Sequence, residues 1–467
     1  MVRFLLLVIL VGGTFLTAHS QTPAPGVVHD SVVVTADPTN SYALYLPSAY
    51  SASKQWPLLL AFDPFARGAV AVKLFHEAAE KYGFIVIGSN NSRNFGDPSN
   101  AIRLLAADVK ARYSVDARRI YLTGLSGGAR VASSMALACK TCIAGVIANS
   151  AGMPASGGSP SPDGPDWFLL AGTTDFNYPE MVRLKETLDN THIVSRFVVF
   201  EGPHNWMPKD FAEQALAWLQ LRAMVRGVMP VDKVFVSKQF DERVAETQAA
   251  EKNNDLLAAV RDYREIVTDF KAFRDVKGQE AQAKSLGDSG AYRKARKNEK
   301  AALDLQDEVT MKIGSLTEGI AERPDALTQL LEQLESAVKD QMHDEKQSSN
   351  PERKNAIARG LAAAFAYTTE SGEKAMLKND FTSARANFLA SEIILPDSAW
   401  ASYLVATAYA ELGDKKDTLQ ELKKALDKGL TNPKALDDNA FDRIRNEEAF
   451  KQIAAKLATA PDNETAK

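Results

Sequence analysis

Short apolar segments alternate with helical stretches through the first half of the chain, and this alternation limits the folds open to it. Six apolar segments occupy residues 57–62, 84–88, 119–124, 143–149, 167–172 and 195–200. The helical stretches are residues 69–82, 98–113, 127–138, 178–190 and 208–226. Strands joined through helices of about 10–15 residues run parallel, with helices on both faces of the sheet. Residues 27–36 and 41–46 show alternating polarity and predict an antiparallel pair at one edge. We therefore expect a doubly wound, mostly parallel α/β domain over residues 21–230.

The second half lacks these strand signals and predicts helices. Of the 20 prolines in the chain, 15 lie at or before residue 230, and proline punctuates turns. Apolar residues recur at helical spacing over residues 327–342. We expect helical hairpins over residues 231–353 and helical repeats with a C-terminal capping segment over residues 354–467.

A repeat of 34 residues occurs in this last region. Asn379-Asp380 and Gly413-Asp414 are 34 residues apart. Small and large side chains follow the two pairs at equivalent positions, namely Ala384 and Thr418, Phe388 and Leu422, and Ser391 and Ala425. This pattern resembles the tetratricopeptide repeat, in which small residues let paired helices approach and large residues fill the space between them. Asn254-Asp255 begins a looser match. A generic helical bundle is the alternative.

A Gly-Leu-Ser-Gly-Gly sequence at residues 124–128 follows the third apolar segment and precedes a helical stretch. The G-x-S-x-G pattern alone is weakly specific. A strand, a tight turn and a helix in this order are what a nucleophile elbow requires, and its glycines allow backbone contacts that a Cβ would obstruct. The sequence therefore makes Ser126 a candidate nucleophile.

A serine nucleophile needs a base and an acid that orients the base. Of the six histidines, only His204 directly follows the last predicted strand. Asp175 follows the strand before it. The chain order Ser126, Asp175, His204 is the order found in α/β-hydrolases.

Residues 40–226 resemble an α/β-hydrolase, and within that group the compact, lidless esterases around polyhydroxybutyrate depolymerases, feruloyl esterases and dienelactone hydrolases. The resemblance implies Ser126 as nucleophile, His204 as general base and then acid, and Asp175 as the residue that holds the imidazole. It implies that the Gly127 N–H forms half of an oxyanion hole and that no cofactor is needed.

The loop that should supply the second oxyanion donor departs from the family pattern. Where relatives have His-Gly, residues 63–68 read Asp-Pro-Phe-Ala-Arg-Gly. Proline has no N–H, so we expect Asp63 or Phe65 to donate. A carboxylate is unfavourable beside an oxyanion unless it points away or pairs with Arg67.

Three further residues are candidates to contact the substrate. Asn91 and Arg93 follow the second apolar segment and are suited to polar or acidic groups. Trp206 stands beside His204 and is suited to a sugar or an aromatic ring. The alternatives are an ordinary turn for the first two and packing under the loop for Trp206.

The chain has two cysteines, Cys139 and Cys142. In an exported protein this spacing favours a local disulfide, with two buried thiols at a helix end as the alternative. A metal site would need further ligands nearby, and the sequence predicts none.

The first twenty residues predict a signal peptide, with Arg3, an apolar core and a small-x-small cleavage site before residue 21. The alternative is a transmembrane anchor, for which the apolar run is short. We expect a secreted or periplasmic protein without a membrane span. The net charge of −4 argues against nucleic acid as a partner.

Together these features predict an exported serine hydrolase that acts on a small-molecule or polymer-linked ester, with a repeat module that binds a protein partner. The alternatives are a serine peptidase with the same triad and a repeat-type binding protein whose hydrolase domain is vestigial. Because the helical half offers no catalytic residue by sequence, we expect a fragment ending near residue 230 to stay active if it folds.

Overall fold

The computed structural model describes residues 22–154 and 158–458. The predicted signal peptide, residues 1–20, lies outside the described residues. An eight-stranded sheet has the spatial order β1-β2-β4-β3-β5-β6-β7-β8. Its strands are β1 (Val28–Val34), β2 (Asp37–Tyr45), β3 (Trp56–Phe62), β4 (Ile85–Ser89), β5 (Val115–Leu125), β6 (Gly145–Asn149), β7 (Asp166–Gly172) and β8 (Ser195–Phe200). β1 and β2 pair antiparallel, β2 pairs antiparallel with β4, and the other neighbours are parallel. This confirms the predicted mostly parallel sheet.

Five helices cover the two faces of the sheet, namely α1 (Gly68–Tyr82), α2 (Ser99–Arg112), α3 (Gly127–Ala138), α4 (Tyr178–Asn190) and α5 (Lys209–Val225). Side chains alternate between the faces along a strand. In β3, Leu58 and Leu60 pack in the cluster that includes α2, α3 and α4. Leu59 packs in the opposite cluster, with α1 and α5. Because both faces are covered, every residue of β3 is buried.

The described residues after α5 form helices and turns. The helices are α6 (Lys233–Lys252), α7 (Leu256–Phe270), α8 (Lys277–Gly287), α9 (Gly290–Thr317), α10 (Leu327–Gln347), α11 (Pro351–Leu377), α12 (Phe381–Ile394), α13 (Ala399–Glu411), α14 (Lys415–Asp427) and α15 (Glu448–Ala458). α6 packs on α7, α9 and α12 pack on α11, and α13 packs on α14. In the described part of the chain, no helix is both long enough and apolar enough to cross a membrane.

Similar turns precede α7, α12 and α14. Asn254, Asn379 and Gly413 each have a positive φ, of 62°, 59° and 80°. The following residue, Asp255, Asp380 or Asp414, caps its helix by accepting a backbone N–H with its carboxylate. Asparagine and glycine tolerate the left-handed conformation, and aspartate is a favoured N-cap. The recurring Asn/Gly-Asp pair is therefore a recurring helix start.

The sheet and the first helical hairpin share a buried ion network. Arg222 of α5 lies between Asp166 of β7 (Nε–Oδ2 3.1 Å) and Asp269 of α7 (Nη1–Oδ1 3.7 Å). Arg243 of α6 reaches the same carboxylate, with Nη1 2.9 Å from Asp269 Oδ2. These four side chains are buried. A cut near residue 230 would leave Arg222 with a buried partner missing, which is a costly arrangement.

Candidate active site

Ser126 lies on the turn between β5 and α3 with φ 53° and ψ −121°. A non-glycine residue seldom adopts a positive φ, and such backbone strain concentrates at functional sites. Close backbone contacts hold the turn. A Cβ on Gly124 would lie 2.2 Å from the carbonyl carbon of Gly128, and one on Gly128 would lie 2.0 Å from the oxygen of Phe62. The two glycines are therefore required by the approach of α3 to the sheet.

Asp175 and His204 meet beyond the ends of β7 and β8. His204 Nδ1 lies 2.7 Å from Asp175 Oδ1. Asp175 is fully buried, whereas the His204 side chain is 17% exposed. The Phe176 ring stacks on the imidazole with ring centres 4.0 Å apart. Because Nδ1 faces the carboxylate, Nε2 is the nitrogen left to act as a base.

The loops that carry these two residues are joined to each other and to the sheet. The Thr174 N–H donates to the Gly202 carbonyl at 2.9 Å. Asn149, at the end of β6, donates from Nδ2 to the Asn205 carbonyl at 2.8 Å and accepts the Met207 N–H at Oδ1 at 2.9 Å. Asn149 thus binds the backbone on both sides of residue 206 in the loop after β8 that carries His204, called the histidine loop below. Its role could not be predicted from the sequence, because a strand-end asparagine carries no signal of a distant partner.

The prediction that Phe65 donates to an oxyanion is wrong. Its N–H donates to Asp63 Oδ1 at 2.9 Å, so it is not available to a substrate oxygen. Asp63 is 1% exposed and also binds Arg67, with Nε–Oδ1 at 2.9 Å and Nη2–Oδ2 at 3.0 Å. The carboxylate therefore pairs with Arg67 and serves this loop as an internal acceptor.

The prediction that Trp206 is a platform for substrate is also wrong. Trp206 is 9% exposed, and its Nε1–H donates to Asp63 Oδ2 at 2.9 Å. Its ring meets that of Phe75 edge to face at 6.4 Å. The alternative, packing under the histidine loop, matches the structure.

Asn91 does not offer its amide to a substrate. Its Oδ1 accepts the Ser41 N–H at 2.8 Å and its Nδ2 donates to the Thr39 carbonyl at 3.3 Å. This amide ties the loop after β4 to β2, which corrects the expectation of substrate contact. Arg93 is exposed, and its backbone forms an antiparallel bridge with Phe65.

Asn94, next to Arg93, lies against the start of α3. A Cβ on Gly127 would stand 1.9 Å from Asn94 Oδ1 and 3.1 Å from its Nδ2. The Asn94 N–H donates to the Pro64 carbonyl at 2.8 Å. The side chain therefore packs beside the Gly127 backbone. No pattern in the sequence places Asn94 on Gly127.

Two exposed aromatic rings stand on the loops after β3 and β4. Phe65 is 54% exposed and Phe95 is 42% exposed. Phe95 has φ 63°, an unusual backbone for a bulky residue. The bridge between residues 65 and 93 keeps these loops together. Exposed large apolar side chains near a candidate site are themselves candidates to contact a ligand.

The structure joins Cys139 and Cys142 as a disulfide with their Cα atoms 5.4 Å apart. It lies at the C-terminal end of α3. Within residues 22–154 and 158–458, no cluster of three or more His, Cys, Asp or Glu side chains could hold a metal ion.

The strand order, the helices on both faces and the turn at Ser126 define an α/β-hydrolase fold for the first half. No family model matches the chain. Acetylxylan esterase A of Emericella nidulans is 28% identical over 162 residues, which cover 30% of this chain and 52% of that protein. The chain thus spans about half the length of this curated relative.

Two of the solved structures that resemble the chain illustrate the similarity. One is a fluorophosphonate-binding serine hydrolase of Staphylococcus aureus, at 14% identity and a TM-score of 0.35, covering 42% of this chain and 98% of that one. The other is a feruloyl esterase module from Clostridium thermocellum complexed with sinapinate, at 16% identity and a TM-score of 0.35, covering 42% and 88%. The fold assignment stands on the topology of this chain itself.

Proposed function

We propose that the first half is a serine hydrolase that cleaves carboxylic esters through an acyl-enzyme. The observation that carries the proposal is the buried Asp175 carboxylate 2.7 Å from His204 Nδ1. The Ser126 N–H donates at 3.0 Å to the carbonyl of Asn149, whose side chain binds the loop that carries His204. Local similarity to an acetylxylan esterase supports an ester as substrate.

The reaction follows from the roles of these groups. His204 Nε2 accepts the Ser126 hydroxyl proton as the oxygen attacks the ester carbonyl. The Gly127 N–H, at the start of α3, stabilises the developing oxyanion. His204 then protonates the leaving alcohol, and water repeats the sequence to release the acid. Asp175 holds the imidazole and stabilises its charged form.

Phe65 and Phe95 are our candidates for the walls that receive the acyl or alcohol group. Both rings are exposed on neighbouring loops, and aromatic faces bind sugars and aromatic acids well. Asn94 Nδ2 and the Asp63 N–H are the remaining candidates for the second oxyanion donor, since the Phe65 N–H already has an acceptor.

An ester panel on the full-length protein tests this proposal. We expect hydrolysis of p-nitrophenyl acetate and of acetylated or feruloylated sugars, and no cleavage of peptide p-nitroanilides. Faster cleavage of the anilides than of the esters would show a peptidase instead. Phe95→Ala is expected to raise KM for feruloylated sugars more than for p-nitrophenyl acetate. Equal changes for the two substrates would show that Phe95 does not contact the feruloyl or sugar group.

We propose that the region from residue 231 onward contains helical hairpins (231–353) and tetratricopeptide-like units (354–467) that bind a protein partner. The separation of 34 residues between the Asp380 and Asp414 helix starts supports the repeat. We also propose export after removal of residues 1–20, which the Cys139–Cys142 disulfide supports. N-terminal sequencing of the mature protein tests export, and a start at residue 1 would contradict it.

A further inference from the structure

The loop that carries Asp175 is held by side chains from the helical half. Arg359 of α11 donates from Nη1 to the Thr173 carbonyl at 2.9 Å. Gln306 of α9 donates from Nε2 to the Phe176 carbonyl at 2.8 Å. Arg359 Nε also donates to Gln306 Oε1 at 2.6 Å. The carbonyls on the two sides of Asp175 are therefore held by one linked pair of side chains.

Burial and packing make this pair rigid. Arg359 is 1% exposed and Gln306 is 3% exposed. The guanidinium carbon lies 4.6 Å from the centre of the Tyr178 ring. A Cβ on Gly360 would lie 2.6 Å from the side chain of Val309, so α9 and α11 are in close contact here. A buried, hydrogen-bonded side chain holds its partner more precisely than an exposed one because it has few other conformations.

The pair also contributes to the surroundings of His204 and Asp175. Gln306 holds the backbone of Phe176, whose ring stacks 4.0 Å from the imidazole of His204. Burial lowers the pKa of Arg359, and the charge of Asp175 is among the contributions that oppose this fall. Asp175 Oδ2 and Arg359 Nη2 are buried without a hydrogen-bond partner among the described residues. Arg359 therefore places a positive charge in the surroundings of Asp175.

The same helix reaches the other side of the site. Lys374, near the C-terminal end of α11, places its Nζ 5.1 Å from the centre of the Phe95 ring. α11 therefore extends from the acid loop to the loop after β4, across the catalytic edge of the sheet.

We propose that Arg359 and Gln306 are positioning residues of the catalytic site, so that α9 and α11 form part of the hydrolase. This inference rests on the proposed triad of Ser126, His204 and Asp175. It reverses the expectation that a fragment ending near residue 230 stays active, because that fragment lacks both residues.

The test uses the full-length protein and three variants, Arg359→Ala, Arg359→Lys and Gln306→Leu. Asp307→Asn is the matched control. Asp307 adjoins Gln306 on α9 and bridges to α4 through Arg183 at 3.1 Å, but both side chains are exposed. Circular dichroism and thermal melting establish that each variant is folded.

We expect kcat for p-nitrophenyl acetate to fall about 100-fold in Arg359→Ala and about 10-fold in Gln306→Leu, because a displacement of a catalytic group by about 1 Å has effects of this size. KM should change less than about threefold in both variants. Guanidinium ion is expected to restore part of the activity of Arg359→Ala. Arg359→Lys should be poorly active, since lysine lacks the planar fork. Asp307→Asn should keep the wild-type kcat.

Wild-type kcat in folded Gln306→Leu would overturn the proposal, even if Arg359→Ala fails to fold. Equal loss in Asp307→Asn would also overturn it, since that result would mean a general interface effect. Failure of the proposed function is distinguishable, because it would appear as a wild-type protein that neither hydrolyses esters nor reacts with a fluorophosphonate.

Discussion

The two loops that meet at the proposed catalytic site are supported in different ways. The histidine loop is held from within the sheet domain, by Asn149 on its backbone and by Asp63 on Trp206. The acid loop is held on both sides of Asp175 by Arg359 and Gln306 of the helical half. The difference teaches that the loop of His204 is supported within the α/β fold, whereas the loop of Asp175 also depends on residues 130 and 186 positions further along the chain.

The largest effect that bears on this comparison is expected from the acid itself. Asp175→Asn keeps the shape of the side chain and so preserves the contacts of the loop, but it removes the charge that orients and stabilises the imidazole. We expect kcat for p-nitrophenyl acetate to fall about 10⁴-fold, measured with the full-length protein. Asp210→Asn, an exposed carboxylate at the start of α5, is the control and should be unaffected. A fall in kcat of less than tenfold in Asp175→Asn would show that Asp175 is not the acid of the triad.

Contacts between the two halves that lie away from the loop of Asp175 should affect the free energy of unfolding more than they affect kcat. Asp269→Ala leaves Arg222 and Arg243 buried with a partner removed. We expect the free energy of unfolding to fall by about 3–5 kcal/mol, with kcat unchanged in the protein that remains folded. Asp304→Ala, which breaks the exposed pair with Lys300, should cost less than about 1 kcal/mol. Similar losses in the two variants would contradict a buried network.

The support of the histidine loop predicts a smaller effect. Asn149→Ala removes the Nδ2 donor to the Asn205 carbonyl and the Oδ1 acceptor of the Met207 N–H. We expect a loss of about 1–3 kcal/mol of stability together with a lower kcat, since the loop that carries His204 is loosened. Asn190→Ala, at an exposed helix end, is the control. Full kcat in Asn149→Ala would show that the loop does not need this support.

These contrasts explain which parts of the fold and of the candidate site could be predicted from the sequence. The sheet, the elbow at Ser126 and the proximity of Asp175 to His204 follow from residues that stand directly after predicted strands, because parallel strands bring their carboxyl ends to one edge. The roles of Asp63 and Trp206 could not be predicted, because the Asp63 carboxylate accepts from the Trp206 indole N–H, 143 residues away in the chain. Arg359 is 186 residues from Thr173, and a helical arginine has no local pattern that reveals such a partner.

The smallest effect is expected from Glu373 of α11 and depends on pH. Burial, followed by the charge of Glu370, raises its pKa to about 7 from 4.5, and Lys374 opposes this. Because the pKa is higher in the folded state than in the unfolded chain, stability falls as pH rises from about 4.5 to 7. We expect Glu373→Gln to be more stable than wild type by about 1 kcal/mol at pH 8, after allowance for solvent screening.

At pH 4 the two proteins should be nearly equally stable, because Glu373 is then protonated in the folded state and mostly protonated in the unfolded chain. Thermal melting at the two pH values measures this. An equal gain at pH 4 and pH 8 would mean that the charge of Glu373 is not the cause.

The central claim, that Ser126 is the nucleophile of a serine hydrolase, is tested most directly by covalent labelling. Full-length wild type, Ser126→Ala and Ser134→Ala are treated with a fluorophosphonate and analysed by intact mass. Ser134 lies on the same helix and is the matched control, since its hydroxyl donates to the Arg130 carbonyl at 2.7 Å. We predict one label on wild type and on Ser134→Ala and none on Ser126→Ala, with the label on the peptide that contains residue 126. A wild-type protein that takes no label, or a Ser126→Ala variant that takes it at the wild-type rate, would contradict the account.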